Sequence, residues 1–214
     1  METKFTEKES LALISEMIDQ ARKNLQKGSG NSMIFNGLLV SSVALANIAL
    51  AFILSNPNQS FWVWCLMIPG SFVTKIIDGR VDRESMVKTH IDSIIRYTWL
   101  GFACSVCILL AIIFMLGLGK KFYELFFLIN PCIIAMTGLA EFITAKACRF
   151  KPYFFGAYTM WLGALLCGLA FWFTKEQGYV VIIQFFILII CMIVGFVIPG
   201  YQLNKKAKES CLKN

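Results

Sequence analysis

Six stretches of the chain are long and apolar enough to cross a lipid bilayer, which constrains the fold more than any other feature of the sequence. Crossing about 30 Å of hydrocarbon takes about 20 mostly apolar helical residues. Met33–Leu54, Phe61–Ile77, Tyr97–Leu118, Phe122–Ala145, Phe154–Phe173 and Tyr179–Leu203 all come close to that length. Phe61–Ile77 is the shortest, and Lys75 lies near its end. The long stem of a lysine lets its ammonium reach the headgroups, so the segment still counts as a span. Composition agrees: 57% of the 214 residues are hydrophobic and 15% charged, against about a quarter charged in soluble domains. The expected class is an all-α membrane protein with six transmembrane helices.

The net charge of +7 raises the question of nucleic acid, but its distribution has a simpler meaning. Lys and Arg in short loops favour the cytoplasmic side. Seventeen of the 20 basic residues fall before the first span, in the second-to-third and fourth-to-fifth connections, or in the tail. Only Lys120, Lys121 and Lys175 fall on the other face. This predicts both termini in the cytoplasm, and no nucleic-acid partner is expected. Of the eight cysteines, six lie inside apolar runs, where a thiol acts as a small hydrophobe.

The spans read as three tandem hairpins. Gly37-x₃-Ser41, Gly101-x₃-Ser105 and Gly163-x₃-Cys167 put a small pair on one face of each odd-numbered helix. Pro69, Pro131 and Pro199 place one proline in each even-numbered helix. Small pairs of this kind let membrane helices approach closely. The alternative is a parallel-repeat transporter whose proline-broken helices line a path.

Residues 1–32 read as a cytoplasmic amphipathic helix and a hinge, residues 33–203 as the six-span domain, and residues 204–214 as a basic cytoplasmic tail. Thr6 and Glu9 form a capping box, and Leu11, Ile14, Ile18, Ala21 and Leu25 follow a 3-4-3-4 stripe. One helix cannot bury its own stripe. It therefore lies on the bilayer, on another copy of the chain, or on a cytoplasmic partner that docks on residues 6–26. Gly28–Ser32 reads as a flexible hinge into the first span. A second cytoplasmic helix is expected from Asp82 to Arg96, running into the third span.

Glu141 is the leading candidate for a functional intramembrane charge, since ionisable groups at membrane depth are costly and mark pathways. The simpler account is a boundary carboxylate paired with Lys146 or Lys75, or wetted by headgroups. Asn36 and Asn47 share a face of the first span. They line a polar seam with Ser41, Ser42, Asn130, Thr137 and Gln184, or they hydrogen-bond between packed helices. Glu124 reads as a surface charge. Cys104-x-x-Cys107 sits mid-span without further ligands nearby, and His90 is the only histidine, so no metal centre is expected. No nucleotide, zinc-protease or nucleophile-elbow motif is present. No catalytic residue or cofactor is therefore expected.

The run Glu9-Ser10-Leu11-Ala12-Leu13-Ile14-Ser15-Glu16-Met17-Ile18, followed by Gly28–Ser32 and a multi-span region, resembles uncharacterised small multi-pass bacterial inner-membrane proteins. The resemblance rests on the first 35 residues and implies a bacterial inner membrane. The functional expectation is a non-enzymatic membrane protein whose N-terminal helix self-associates or docks a partner. The alternative is a small transporter or channel built from the three hairpins.

Overall fold

A computed structural model describes residues 29–54, 56–84, 90–174 and 177–212, together with Leu11 and Ser15. Nearly all described residues are helical, and six helices are long and apolar enough to cross a membrane: Gly30–Ile53, Gln59–Gly79, Ile91–Gly119, Tyr123–Cys148, Lys151–Phe173 and Gly178–Lys206. Each overlaps its expected span, and most run a few residues beyond it. Hydropathy locates the apolar run, whereas the helix continues into the polar residues that flank it.

The elements are α1 (Ser29–Ile53), a 3-10 segment (Pro57–Leu66), α2 (Met67–Glu84), α3 (His90–Gly119), a second 3-10 segment (Tyr123–Leu128), α4 (Ile129–Cys148), α5 (Lys151–Phe173), α6 (Gln177–Met192), a π segment (Ile193–Val197) and α7 (Ile198–Leu212). The sixth span is α6, the π segment and α7 together. Of the second cytoplasmic helix expected over 82–96, residues 82–84 are the end of α2 and 90–96 open α3, which runs unbroken into the third span, while 85–89 lie outside the described residues.

The prolines explain the irregular segments. Pro69, Pro131 and Pro199 each stand within the first three residues of α2, α4 and α7, directly after a 3-10 or π stretch. A proline has no N–H to give the carbonyl four residues earlier, and its ring crowds that carbonyl. The helix before it therefore takes another pitch and α-geometry restarts around the proline, where a missing N–H costs least. In each even-numbered span the expected break is thus a change of pitch rather than a loop.

The helices pack in the order second, first, sixth, fifth, fourth, third, and α4 also touches α6. The broadest interface joins α4 and α5. The sixth span is the most buried, and the second and third are the least. Ala44, Ile134, Met160, Leu188, Met192 and Phe196 form the centre of the core. Trp64 stacks on Phe185 at 5.6 Å, and Trp99 meets Phe196 edge-on at 5.9 Å. Large apolar side chains such as Phe52, Trp172 and Phe173 are exposed on the outer faces, as a bilayer rather than water would allow.

The three small-x₃-small pairs do not share one role. A Cβ on Gly37 would lie 3.0 Å from Phe196 Cβ and 3.2 Å from Met192 O, so α1 approaches the sixth span backbone closely there. A Cβ on Gly163 would meet Cys191 Sγ, on the sixth span again. Around Gly101 there is nothing within 4 Å, and both Gly101 and Ser105 are exposed. The expectation that Gly101 makes a close helix contact within the chain is corrected. The third span packs through other faces, at the edge of the row.

The hinge expectation is corrected for residues 29–32. They form the first turn of α1, where Gly30 packs on Gly200 and Asn204 Nδ2 donates to Asn31 Oδ1 at 2.7 Å. Of the apolar stripe, Leu11 is helical and exposed. Ile14, Ile18, Ala21 and Leu25 lie outside the described residues.

Candidate functional site

Asn36 and Asn47 face the second span, as a shared helical face requires, and both serve as interhelical donors or acceptors. Asn47 Nδ2 donates to Ser60 O at 3.0 Å, and Ser60 Oγ donates to Asn47 Oδ1 at 3.4 Å. Thr74 Oγ1 donates to Asn36 Oδ1 at 2.8 Å. Of the other residues of the expected seam, Ser41 and Thr137 donate to carbonyls of their own helices, Ser42 is exposed, Asn130 is half-buried, and Gln184 bonds two backbone carbonyls. Asn36, Asn47 and Gln184 thus tie helices together.

Glu141 differs from all of them. It is 1% exposed, and among the described residues neither carboxyl oxygen has a hydrogen-bond partner. The boundary ion pair is therefore corrected. Lys146 Nζ lies over the Phe154 ring at 6.0 Å, and Lys75 Nζ lies over Phe72 at 6.0 Å. Because α4 continues to Cys148, Glu141 sits about 10 Å inside the helix end at 1.5 Å per residue. The nearest hydroxyls on its own helix offer it nothing. Thr137 Oγ1 donates to Ile133 O at 2.7 Å, and Thr144 Oγ1 donates to Ala140 O at 2.8 Å.

The carboxyl is aimed at the junction of three helices. A Cβ placed on Gly156 of α5 would lie 2.9 Å from Glu141 Oε2, 3.0 Å from Oε1 and 2.7 Å from Gly195 O. Three oxygens from two helices thus converge on the bare Cα of a glycine in the third. A Cβ on Gly195 would lie 3.7 Å from Glu141 Oε2 and 2.7 Å from Met160 Cε, which closes the site on its apolar side. Gly195 is in the π segment, four residues before Pro199. Pro199 has no N–H, so it cannot give Gly195 O the bond an α-helix would supply. Both glycines leave room that any side chain would fill.

An unpartnered carboxylate in this setting is expensive. Insertion scales put an acidic residue at the centre of a membrane helix at about 2.5–3.5 kcal/mol, a sizeable share of a fold's net stability. Gly156 and Gly195 escape a sequence reading because they lie in two spans other than that of Glu141. The one local signal is the Gly195-x₃-Pro199 spacing, which leaves a glycine carbonyl without its usual donor.

The remaining candidates carry less. Cys104 and Cys107 are exposed on α3, and Glu124 is exposed in the first turn of the second 3-10 segment. Among the described residues no group of three or more His, Cys, Asp or Glu is placed to hold a metal ion. Compared with protein families, curated proteins and solved structures, the chain finds no match.

Proposed function

We propose that this chain is a small ion-linked transporter or channel of a bacterial inner membrane, with Glu141 as the group that binds the moving cation. The carrying observation is a carboxyl inside a span, 1% exposed and without a partner among the described residues, beside the carbonyl of Gly195. Ionisable groups in the membrane interior mark ion pathways when they face a helix junction. Three tandem hairpins fit this reading, with a change of pitch ahead of each proline in the even spans. The 17-to-3 split of basic residues supports cytoplasmic termini.

The test is cation flux into liposomes that contain the purified protein, followed for H⁺, Na⁺ and K⁺ separately. Wild-type protein should carry at least one of them well above the rate of protein-free liposomes. Glu141→Gln, nearly identical in shape, should cut that rate at least about tenfold while eluting unchanged in size-exclusion chromatography. Equal rates in wild type and variant, or no flux in wild type, would exclude the proposal.

A second reading concerns residues 6–26 and is separable from the first. Leu11 is helical and exposed, as an apolar stripe awaiting another copy or a cytoplasmic partner would be. Replacing Leu11, Ile14 and Ile18 together with serine should reduce cross-linking to copies or partners and leave insertion intact. If cross-linking persists while the helix leaves the lipid, the stripe is a membrane contact.

A further inference from the structure

We infer that the ligand of the Glu141 site is a proton, shared between the carboxyl of Glu141 and the carbonyl of Gly195. This rests on the reading of Glu141 as the binding group of an ion-linked transporter, and it names the ion. The polar atoms nearest the two glycines are all acceptors: Glu141 Oε1 and Oε2, Gly195 O and Gly156 O. A carboxylate has no hydrogen to donate, and a carbonyl has none either. Such a cluster lacks a donor, and a proton on the carboxyl supplies one.

The size and number of the oxygens select among positive ligands. Mg²⁺ needs about six oxygens, and Ca²⁺ about six to eight. Three converge here, and the point they share lies against the Cα of Gly156. A proton needs only one carboxyl oxygen. Bound to either carboxyl oxygen, it turns the carboxylate into an O–H donor aimed at a carbonyl that Pro199 cannot serve. Released to the aqueous phase, it leaves the acceptors unsatisfied and favours parting of α4, α5 and the sixth span. Binding and release are the whole reaction: on binding an O–H bond of a hydronium ion breaks as one on Glu141 forms, and on release the proton returns to water.

Titratable groups on the surrounding helices are engaged or turned away. Cys191 Sγ faces Thr159 O, Cys167 Sγ faces Gln184 O, and Tyr153 packs edge-on against Phe150. Lys146 and Lys206 lie over the rings of Phe154 and Phe150. Arg149, Lys151, Tyr158 and Tyr201 are exposed, and Cys148 is half-buried at the end of α4.

Infrared difference spectroscopy of the reconstituted protein tests the inference. Raising the pH should remove a carboxylic-acid C=O band and add carboxylate bands, and Glu141→Gln should lack that pair. At fixed pH, NaCl or KCl should leave the bands unmoved. Pro199→Ala restores a backbone N–H that competes for Gly195 O. It should weaken the hold on the proton about tenfold, moving the titration about one unit to lower pH. That shift keeps the inference testable even if Glu141→Gln fails to fold. Bands that answer to Na⁺ or K⁺ at fixed pH, or a titration unmoved by Pro199→Ala, would overturn it. Flux lost in Glu141→Gln without the titrating band removes the proton but leaves the transporter. The band without any loss of flux removes the transporter but leaves a proton site.

Discussion

Gly37→Leu should destabilise the purified protein by about 3 kcal/mol, the upper range for overpacking a filled interface. Gly101→Leu should leave it unchanged or slightly more stable. The two glycines head the same small-x₃-small pattern, so the contrast isolates tertiary position from sequence motif. At Gly37 a Cβ would already press within 3.2 Å of Met192 O, a backbone atom that cannot swing aside. Larger atoms beyond it would push α1 off the sixth span. Gly163→Leu should resemble Gly37→Leu, because its Cβ would meet Cys191 Sγ in the core. At Gly101 there is nothing within 4 Å, and an exposed helical glycine replaced by leucine gains up to about 1 kcal/mol of helix propensity. Thermal unfolding in detergent measures all three. If Gly101→Leu falls as far as Gly37→Leu, the third span's open face is packed in the assembled protein, and a second copy of the chain is the simplest cover.

What could be read from the sequence divides along the range of the signal. The six spans were legible because hydropathy is a local property, and the irregular pitch in the even spans because proline acts on its own helix. The partner of each helix was not. Gly37, Gly101 and Gly163 look alike in sequence, and only the packing order separates two core contacts from one exposed face. Glu141 is visible as a charge in an apolar run, but of its expected partners Lys146 and Lys75 only the first has a position fixed by its own helix. Lys146 is five residues on, which places it about 140° around the helix from Glu141. That geometry alone argues against the ion pair. Gly156 and Gly195, which complete the site, carry no charge and lie in other spans, and only the Gly195-x₃-Pro199 spacing gives a local mark. Asn36 and Asn47 were legible as a shared face, three helical turns apart. Their partners Thr74 and Ser60 were not, because the register of one helix against the next is not a local property.

Gln184→Leu should cost about 1–2 kcal/mol, and most of that cost should vanish when Pro131 is also replaced by alanine. Gln184 is buried in the sixth span, and its Nε2 donates to Phe127 O at 3.0 Å and to Cys167 O at 3.3 Å. Phe127 is four residues before Pro131, so its carbonyl is the one an α-helix would have satisfied from residue 131. The proline removes that donor, and the sixth span supplies another through a side chain. In hydrocarbon no water replaces it, so Gln184→Leu leaves the Phe127 carbonyl bare. Pro131→Ala restores the backbone N–H, and the carbonyl no longer depends on Gln184. The bond to Cys167 O is lost in either background and sets the residual cost. A double-mutant cycle on thermal stability therefore gives a coupling between positions 131 and 184, expected at about 1 kcal/mol. Strict additivity would mean that Gln184 does not replace the missing donor. The pitch change before Pro131 would then be held by the packing of Phe127 on Phe171, whose ring centroids are 5.5 Å apart.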